Sequence, residues 1–138
     1  MLKYGYVLNF RGFQIIYKYS ILKLKEKACE IAEKARAPLV VLLHGDLGTG
    51  KTAFSQFFIG ELLKNKRQSI TSPTFNIVHI YDSIKGPIWH VDLYRIENTS
   101  EIEELSLLEA MHQYICLIEW PDLIIPYIKN CNVINVEL

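Results

Sequence analysis

The chain has no surplus of charge of either sign: 15 Lys and Arg residues balance 15 Asp and Glu residues over 138 positions. Proteins that hold nucleic acid through their own surface usually carry a basic excess. We therefore expect any nucleic-acid partner to be held mostly by other proteins.

Cysteine is also scarce. Cys29, Cys116 and Cys131 are widely spaced, odd in number and contain no C-x-x-C pair. This spacing argues against both a disulfide framework and a cysteine metal site. It predicts three buried thiols in a protein of a reducing compartment.

Long apolar segments and repeats are absent as well. No apolar run reaches the roughly 20 residues of a membrane-spanning helix, and residues 1–5 do not resemble the start of a signal peptide. Without a repeat or a long linker, a chain of this length predicts a single domain. We expect a cytoplasmic protein with no membrane association, in which residues 1–18 form an extension that includes a first strand and residues 19–138 form the domain proper.

Strand and helix patterns alternate along the chain. We predict strands at 13–19, 38–44, 75–81, 88–93, 114–118 and 132–136, a helix from the N-cap Ser20 to about residue 36, a helix at 52–64, and a short helix that a capping box at 100–103 opens and that runs through Met111. Residues 82–87 would join two of the strands as a hairpin, and residues 1–12 show no periodicity and are expected to be loosely attached. This order predicts an α/β domain with a mixed, mainly parallel central sheet flanked by helices.

A complete G-x-x-x-x-G-K-[ST] motif lies between an apolar strand and a helix. It consists of Gly45, Asp46, Leu47, Gly48, Thr49, Gly50, Lys51 and Thr52. In such a P-loop the backbone N–H groups surround phosphate oxygens, the lysine contacts the β- and γ-phosphates, and the hydroxyl binds Mg²⁺. The motif predicts a P-loop NTPase that binds a nucleoside triphosphate with Mg²⁺.

Two acids are candidates for hydrolytic chemistry beside Lys51. Glu119 ends an apolar strand and is expected to lie on the metal side of the site, together with Thr52. Asp92 shares one strand face with His90 and would bind a metal-linked water or polarise the nucleophile. The alternatives are an exposed strand-end acid at 119 and, at 92, an ion pair with Arg95 or another neighbour.

Several further residues are weaker candidates. Thr71, Ser72 and Thr74 surround a proline and could respond to the γ-phosphate, although the same pattern suits an ordinary turn. Trp120 could stack on the nucleotide or fill the core. His90 and Arg95 are candidates for contacting phosphate or a partner, and His90 could equally be a core histidine.

Taken in order, Gly-Asp-Leu-Gly-x-Gly-Lys-Thr, Ser-Pro-Thr-Phe, Tyr81, His-x-Asp-Leu-Tyr-Arg and Ile-Glu-Trp-Pro resemble the bacterial TsaE (formerly YjeE) family. The resemblance extends from about Tyr19 to the last residue. It implies a Mg²⁺-dependent ATPase of low intrinsic activity that acts with TsaB and TsaD in forming threonylcarbamoyladenosine next to the anticodon of ANN-reading tRNAs. By position it implies phosphate and Mg²⁺ binding by Lys51 and Thr52, a metal-side role for Glu119, a catalytic or metal-water role for Asp92 and a switch-like role for residues 71–74. It also implies a pocket or partner role for Trp120.

The sequence departs from this family at Thr49, where alanine is common, and at Ser106, where glycine is common. The serine at position 106 leaves the conformation of the local turn undetermined, but it does not affect the site. A small P-loop kinase is the main alternative, but it would need an arginine-rich lid that does not follow the loop. A nucleotide-gated adaptor with negligible turnover also remains open, whereas a GTPase is disfavoured because no N-K-x-D motif is present.

Overall fold

A computed structural model describes residues 4–10 and 13–138, with the backbone alone for 4–10 and 13–19. Its elements in chain order are β1 (Tyr4–Phe10), β2 (Phe13–Tyr19), α1 (Ile21–Lys34), β3 (Leu39–His44), α2 (Lys51–Leu62), β4 (Val78–Ser83), β5 (Gly86–Asp92), α3 (Thr99–Glu104), α4 (Leu107–Ala110), β6 (Ile115–Glu119), a 3₁₀ helix (Pro121–Tyr127) and β7 (Val133–Glu137).

The seven strands form one sheet in the order β2-β1-β7-β3-β6-β5-β4. The four central strands β7, β3, β6 and β5 are parallel, while β4 and the β1–β2 hairpin add antiparallel edges. The predicted α/β class and mixed sheet with a parallel centre are confirmed. The carboxyl ends of β3, β5 and β6 meet at one edge of the sheet, which is where α/β proteins bind ligands.

Helices cover both faces of the sheet. On one face, Leu24 and Ala28 of α1 and Phe54 and Phe58 of α2 pack against alternate residues of β3 such as Val41. On the other face, α3, α4 and the 3₁₀ helix pack against the remaining residues of β3 and β6; this layer includes Val40, Leu42, Ile102, Leu107, Ile118 and Ile124. Both faces of β3 and β6 are therefore buried, which explains their nearly continuous apolar sequences.

The N-terminal expectation is wrong in part. The strand predicted at Phe13–Tyr19 is present as β2, but Tyr4–Phe10 forms β1, which is hydrogen-bonded between β2 and β7. This stretch thus belongs to the sheet and is not loosely attached, since it pairs both with the adjacent strand β2 and with the distant strand β7. Residues 1–3 and 11–12, which the same prediction included, lie outside the described residues.

Helix α1 begins after the predicted N-cap Ser20 and ends two residues earlier than predicted. Its C-terminal carbonyls accept hydrogen bonds from a distant side chain, because Lys85 Nζ lies 2.8 Å from Ala32 O and 2.9 Å from Ala35 O. Burial lowers the pKa of Lys85, and the nearby charge of Arg36 adds to that effect. A cation at the carbonyl end of a helix favours its termination there.

The hairpin is tighter than predicted. Strands β4 and β5 remain paired as far as Ser83 and Gly86, so the turn is much shorter than the six residues expected. Gly86 has a φ of 90°, and the Ser83 hydroxyl donates to its carbonyl at 2.6 Å. At the other end, a φ of 67° at Ile77 delays the start of β4 until Val78, so residues 75–77 are not part of the strand.

The short helix differs in two ways from the prediction. Its N-cap is Asn98, and Glu101 Oε1 accepts the backbone N–H of Asn98 at 3.1 Å, so the capping box lies two residues before the predicted one. Asn98 and Glu101 have the same three-residue spacing as Ser100 and Glu103, so the sequence is compatible with a capping box at either pair. The helix is also interrupted at Ser106, whose φ of 56° is a conformation that favours glycine and separates α3 from α4.

The three cysteines are free, but only Cys116 is buried, whereas Cys29 and Cys131 are partly exposed. Burial raises the pKa of the Cys116 thiol to about 12. The prediction of three buried thiols is therefore wrong for two of them. Among the described residues, no helix combines the length and apolar character needed to cross a bilayer.

Replacing Gly60 by alanine is expected to stabilise the protein by about 0.5–1 kcal/mol, since glycine weakens a helix interior by that amount. Gly60 lies in α2, and an added Cβ would meet only Ile70 Cδ1, at an ordinary contact distance of 3.6 Å. Urea denaturation measures the change. The contrasting variant is Gly86→Ala, which has free space but a φ of 90° and should therefore lose stability. Changes of the same sign in both variants would contradict this account.

Candidate functional site

The G-x-x-x-x-G-K-T segment forms the connection between β3 and α2. Its three glycines have φ values of 140° at Gly45, 78° at Gly48 and 106° at Gly50, which L-residues with a side chain rarely adopt. Gly45 is also crowded, because an added Cβ would lie 2.5 Å from Thr49 Oγ1 and 2.6 Å from the carbonyl oxygen of Leu138. The loop thus needs its glycines for both conformation and space, and Gly50 leads directly into the first turn of α2. This is the geometry of an anion site at a helix N-terminus.

Lys51 is the first residue of α2 and is 5% exposed. Its Nζ donates to Gly45 O at 2.6 Å and to Asp46 O at 2.7 Å, so it is held back against the loop backbone. Burial lowers the pKa of Lys51, an effect that the negative charges of Glu119, Asp46 and Asp92 oppose. Two of these acids, Glu119 and Asp92, line one cleft together with Lys51.

Glu119 comes from the end of β6 and contacts the first turn of α2. Thr52 Oγ1 donates to Glu119 Oε2 at 3.0 Å, and Ser55 Oγ lies 3.5 Å from Oε1. The carboxylate is 2% exposed, so the alternative of an exposed strand-end acid is wrong. The pair of a carboxylate and a P-loop threonine is the donor set expected for Mg²⁺ in P-loop NTPases.

Asp92 stands directly beside Glu119, because the two residues are register partners in the parallel pair of β5 and β6. Its Oδ2 accepts the Thr74 hydroxyl at 2.9 Å, and its Oδ1 accepts the backbone N–H of Tyr94 at 3.0 Å. Asp92 is 4% exposed. Hydrogen bonds from Thr74 and Tyr94 therefore hold Asp92, whereas the guanidinium of Arg95 lies over the Phe75 ring.

Trp120 follows Glu119 and has a φ of 55°, which turns the chain sharply between β6 and the 3₁₀ helix. Lys51 Nζ lies 3.9 Å from the centre of the indole ring, and the ring of Tyr94 lies 4.9 Å from it. The indole therefore covers the lysine in a cation–π contact. Trp120 lies at the surface of the cleft and is not a core residue.

These residues surround one cleft of about 330 Å³. It is lined by Leu47, Gly48, Gly50, Lys51, Thr52, Ala53, Thr74, Asp92, Tyr94, Glu119 and Trp120. Among the described residues no group of three or more His, Cys, Asp and Glu side chains could hold a metal on its own. Two carboxylates and a hydroxyl nevertheless fit Mg²⁺, which is commonly held by one or two carboxylates with substrate phosphates and water supplying the rest.

The remaining sequence candidates lie farther from the cleft. The Thr71 N–H donates to the Tyr81 hydroxyl of β4 at 3.2 Å, and the Ser72 hydroxyl lies 2.7 Å from that of Thr74, which lines the cleft. Arg95 is exposed and stacks on the Phe75 ring at 4.4 Å. His90 is fully buried and lies 2.7 Å from Glu119 Oε1, so it has no exposed surface for a partner to contact.

Two polar residues of the site, Tyr94 and Ser55, were not among the sequence candidates. Tyr94 lines the cleft, and its signal was its alternation with Asp92 along the same stretch. Ser55 faces Glu119 one helical turn after Thr52, a spacing that places both hydroxyls on one side of α2. Either spacing identifies a site residue only once the side-chain directions of Asp92 and Glu119 are known.

The chain is similar to known proteins. Residues 19–138 match the family model described as "Threonylcarbamoyl adenosine biosynthesis protein TsaE". The chain is 40% identical over 132 residues to the tRNA threonylcarbamoyladenosine biosynthesis protein TsaE of Rickettsia bellii, covering 91% of this chain and 88% of the relative. The protein of the same name from Rickettsia prowazekii is 47% identical over 102 residues, which is 72% of this chain and 67% of that protein. The Bacillus subtilis protein is 43% identical over 86 residues, covering 62% and 52%. The cleft thus occurs in a chain that belongs to the TsaE family, whose members take part in the biosynthesis of threonylcarbamoyladenosine in tRNA.

Proposed function

We propose that the protein is a Mg²⁺-dependent ATPase that binds and slowly hydrolyses ATP in support of threonylcarbamoyladenosine formation. The observation that carries the proposal is the 3.0 Å hydrogen bond from Thr52 Oγ1 to Glu119 Oε2 beside a loop with three positive-φ glycines. It joins a phosphate-binding element to a buried carboxylate, and phosphoryl transfer depends on these two elements together.

The loop backbone and four side chains of the cleft have a part in this chemistry. The loop N–H groups from residue 45 onward and Lys51 bind the phosphates, and Thr52 and Glu119 hold Mg²⁺. The metal, when bound, neutralises charge that develops on the phosphate oxygens. Asp92 accepts a hydrogen bond from the attacking water or a metal-linked water and orients it.

ATP binding requires a local rearrangement of Lys51. Its ammonium group now donates to Gly45 O and Asp46 O and lies against the indole of Trp120. Phosphate oxygens would replace these two carbonyls as acceptors, and they bind an ammonium group more strongly because they are charged. The hydroxyl of Thr74 donates a hydrogen bond to Asp92. Through this bond, nucleotide binding at the cleft would affect the switch-like residues 71–74.

The proposed setting is a cytoplasmic complex with homologues of TsaD and TsaB. In this complex TsaD transfers the threonylcarbamoyl group to the adenosine next to the anticodon, and tRNA reaches this protein only through its partners. The balanced charge of the chain supports indirect contact with tRNA. Exposed apolar side chains near the loop, Leu47 at 71%, Tyr94 at 51% and Phe75 at 79%, support a partner surface there.

A kinase has less support than an ATPase, since none of the described residues that line the cleft is an arginine. Single-turnover hydrolysis of ATP, with and without the TsaB and TsaD homologues of the same organism, tests the proposal. We expect slow, Mg²⁺-dependent hydrolysis that the partners accelerate. Turnover that the partners leave unchanged would count against the partner role, and nucleotide binding without any hydrolysis would favour a nucleotide-gated adaptor.

A further inference from the structure

His90 is a fully buried polar residue of β5 that lies behind the acids of the cleft. It is 0% exposed, and its Nε2 lies 2.7 Å from Glu119 Oε1. The distance is that of a strong hydrogen bond to a carboxylate. His90 and Asp92 point to the same side of β5, but only Asp92 is among the residues that line the cleft.

The direction of this hydrogen bond follows from the second ring nitrogen. Nδ1 of His90 is buried and has no hydrogen-bond partner within the part of the chain that the structure describes. An N–H at this position would be buried without an acceptor, which is costly. The hydrogen therefore belongs on Nε2, where Glu119 accepts it, and the tautomer is fixed by its surroundings.

This bond holds the oxygen of Glu119 that faces away from the loop threonine. Oε2 accepts the Thr52 hydroxyl at 3.0 Å, whereas the other contact of Oε1, with Ser55 Oγ, is longer at 3.5 Å. Among the described residues, removal of His90 would leave Oε1 with that weak contact alone, and the carboxylate would be held mainly through Oε2 and Thr52. Partners of this kind orient metal-binding carboxylates, and their loss typically lowers metal affinity or activity by about 10–100-fold.

We propose that His90 is a positioning residue that donates Nε2–H to Glu119 Oε1 and thereby directs Oε2 towards Thr52 and the magnesium site. The inference rests on the proposed function, because it assigns His90 a purpose only if Glu119 acts on the metal side. It concerns the orientation of an acid and involves no contact between His90 and the nucleotide.

The test measures how much Mg²⁺ strengthens ATP binding. Titration calorimetry gives the dissociation constant of ATP with Mg²⁺ and with a chelator, for the wild type and for His90→Phe, His90→Gln and the exposed-site control His112→Gln. Phenylalanine removes the donor at similar volume, whereas the glutamine amide can still donate. Mg²⁺ should strengthen ATP binding to His90→Phe about 10–100-fold less than it does for the wild type. The affinity of this variant for ATP in chelator should change less than about threefold. His90→Gln should recover part of the gain, and His112→Gln should equal the wild type.

The outcomes separate the two proposals. If Mg²⁺ does not strengthen ATP binding to the wild type, both the proposed function and the proposed role of His90 are wrong. If both His90 variants keep the wild-type gain in ATP affinity from Mg²⁺, the inference about His90 is wrong and the proposed function stands. This holds whatever the melting temperatures of the variants, because a purely structural role changes only stability. Side-chain ¹⁵N NMR of the wild type provides a check that needs no variant to fold: we expect His90 as the Nε2–H tautomer, and an Nδ1–H tautomer would refute the inference.

Discussion

The Lys51→Ala variant is expected to bind ATP at least about 100-fold more weakly than the wild type. Lys51 is the only cation among the residues that line the cleft, as far as the chain is described. Hydrogen bonds to charged groups contribute about 1.5–3 kcal/mol each, and every 1.4 kcal/mol is a factor of ten in affinity. Titration calorimetry with Mg²⁺ and ATP measures the loss.

The matched control for this variant is Lys64→Ala. Lys64 follows the other end of α2, is exposed and forms a salt bridge of 3.0 Å with Asp82. We expect its replacement to leave ATP affinity unchanged, because exposed salt bridges contribute little and this one is remote from the loop. Unchanged ATP affinity in Lys51→Ala, in a variant that retains the circular dichroism spectrum of the wild type, would remove Lys51 from the phosphate site.

The second large effect is expected for Glu119→Gln. Glutamine has the shape of glutamate and can still accept from Thr52 or His90, so the fold should be retained while the negative charge is lost. We expect measurable ATP binding but a fall of about 100-fold or more in Mg²⁺-dependent hydrolysis, since a metal-side acid acts mainly on the transition state. Single-turnover rates, measured with the partner proteins present, give the change.

Glu103→Gln is the control for the loss of one negative charge, because Glu103 is an exposed residue of α3. It should hydrolyse ATP at the wild-type rate. A wild-type rate in Glu119→Gln would move the metal-side role to the neighbouring acid Asp92, which is the register partner of Glu119. The parallel variant Asp92→Asn would then show the larger loss.

The sequence predicted the central part of the fold well because that part is determined locally. The apolar run before Gly45, the P-loop motif and the helical spacing after it form a combination that few other structures share. The β1 strand could not be predicted in this way. Tyr4–Phe10 pairs with its neighbour β2 and also with β7 at the far end of the chain, and the second, long-range pairing leaves no periodic trace in the strand itself.

The candidate site was predicted where a residue's place follows from its position at a strand end. Glu119 and Asp92 both end parallel strands, and such ends meet at one edge of a sheet. The contacts that side chains make with other elements were not predictable. Arg95 turns to the Phe75 ring, and His90 lies behind Glu119, because both depend on packing between elements that are distant in sequence.

The most direct test of the account is a crystal structure with Mg²⁺ and a non-hydrolysable ATP analogue. We expect the phosphates within the loop from Gly45 to Thr52, Lys51 moved from its carbonyl partners to a phosphate oxygen, and the metal at about 2.0–2.1 Å from Thr52 Oγ1, with Glu119 reaching it directly or through one water. Phosphates bound outside this loop, or a metal that contacts neither Thr52 nor Glu119, would contradict the central claim.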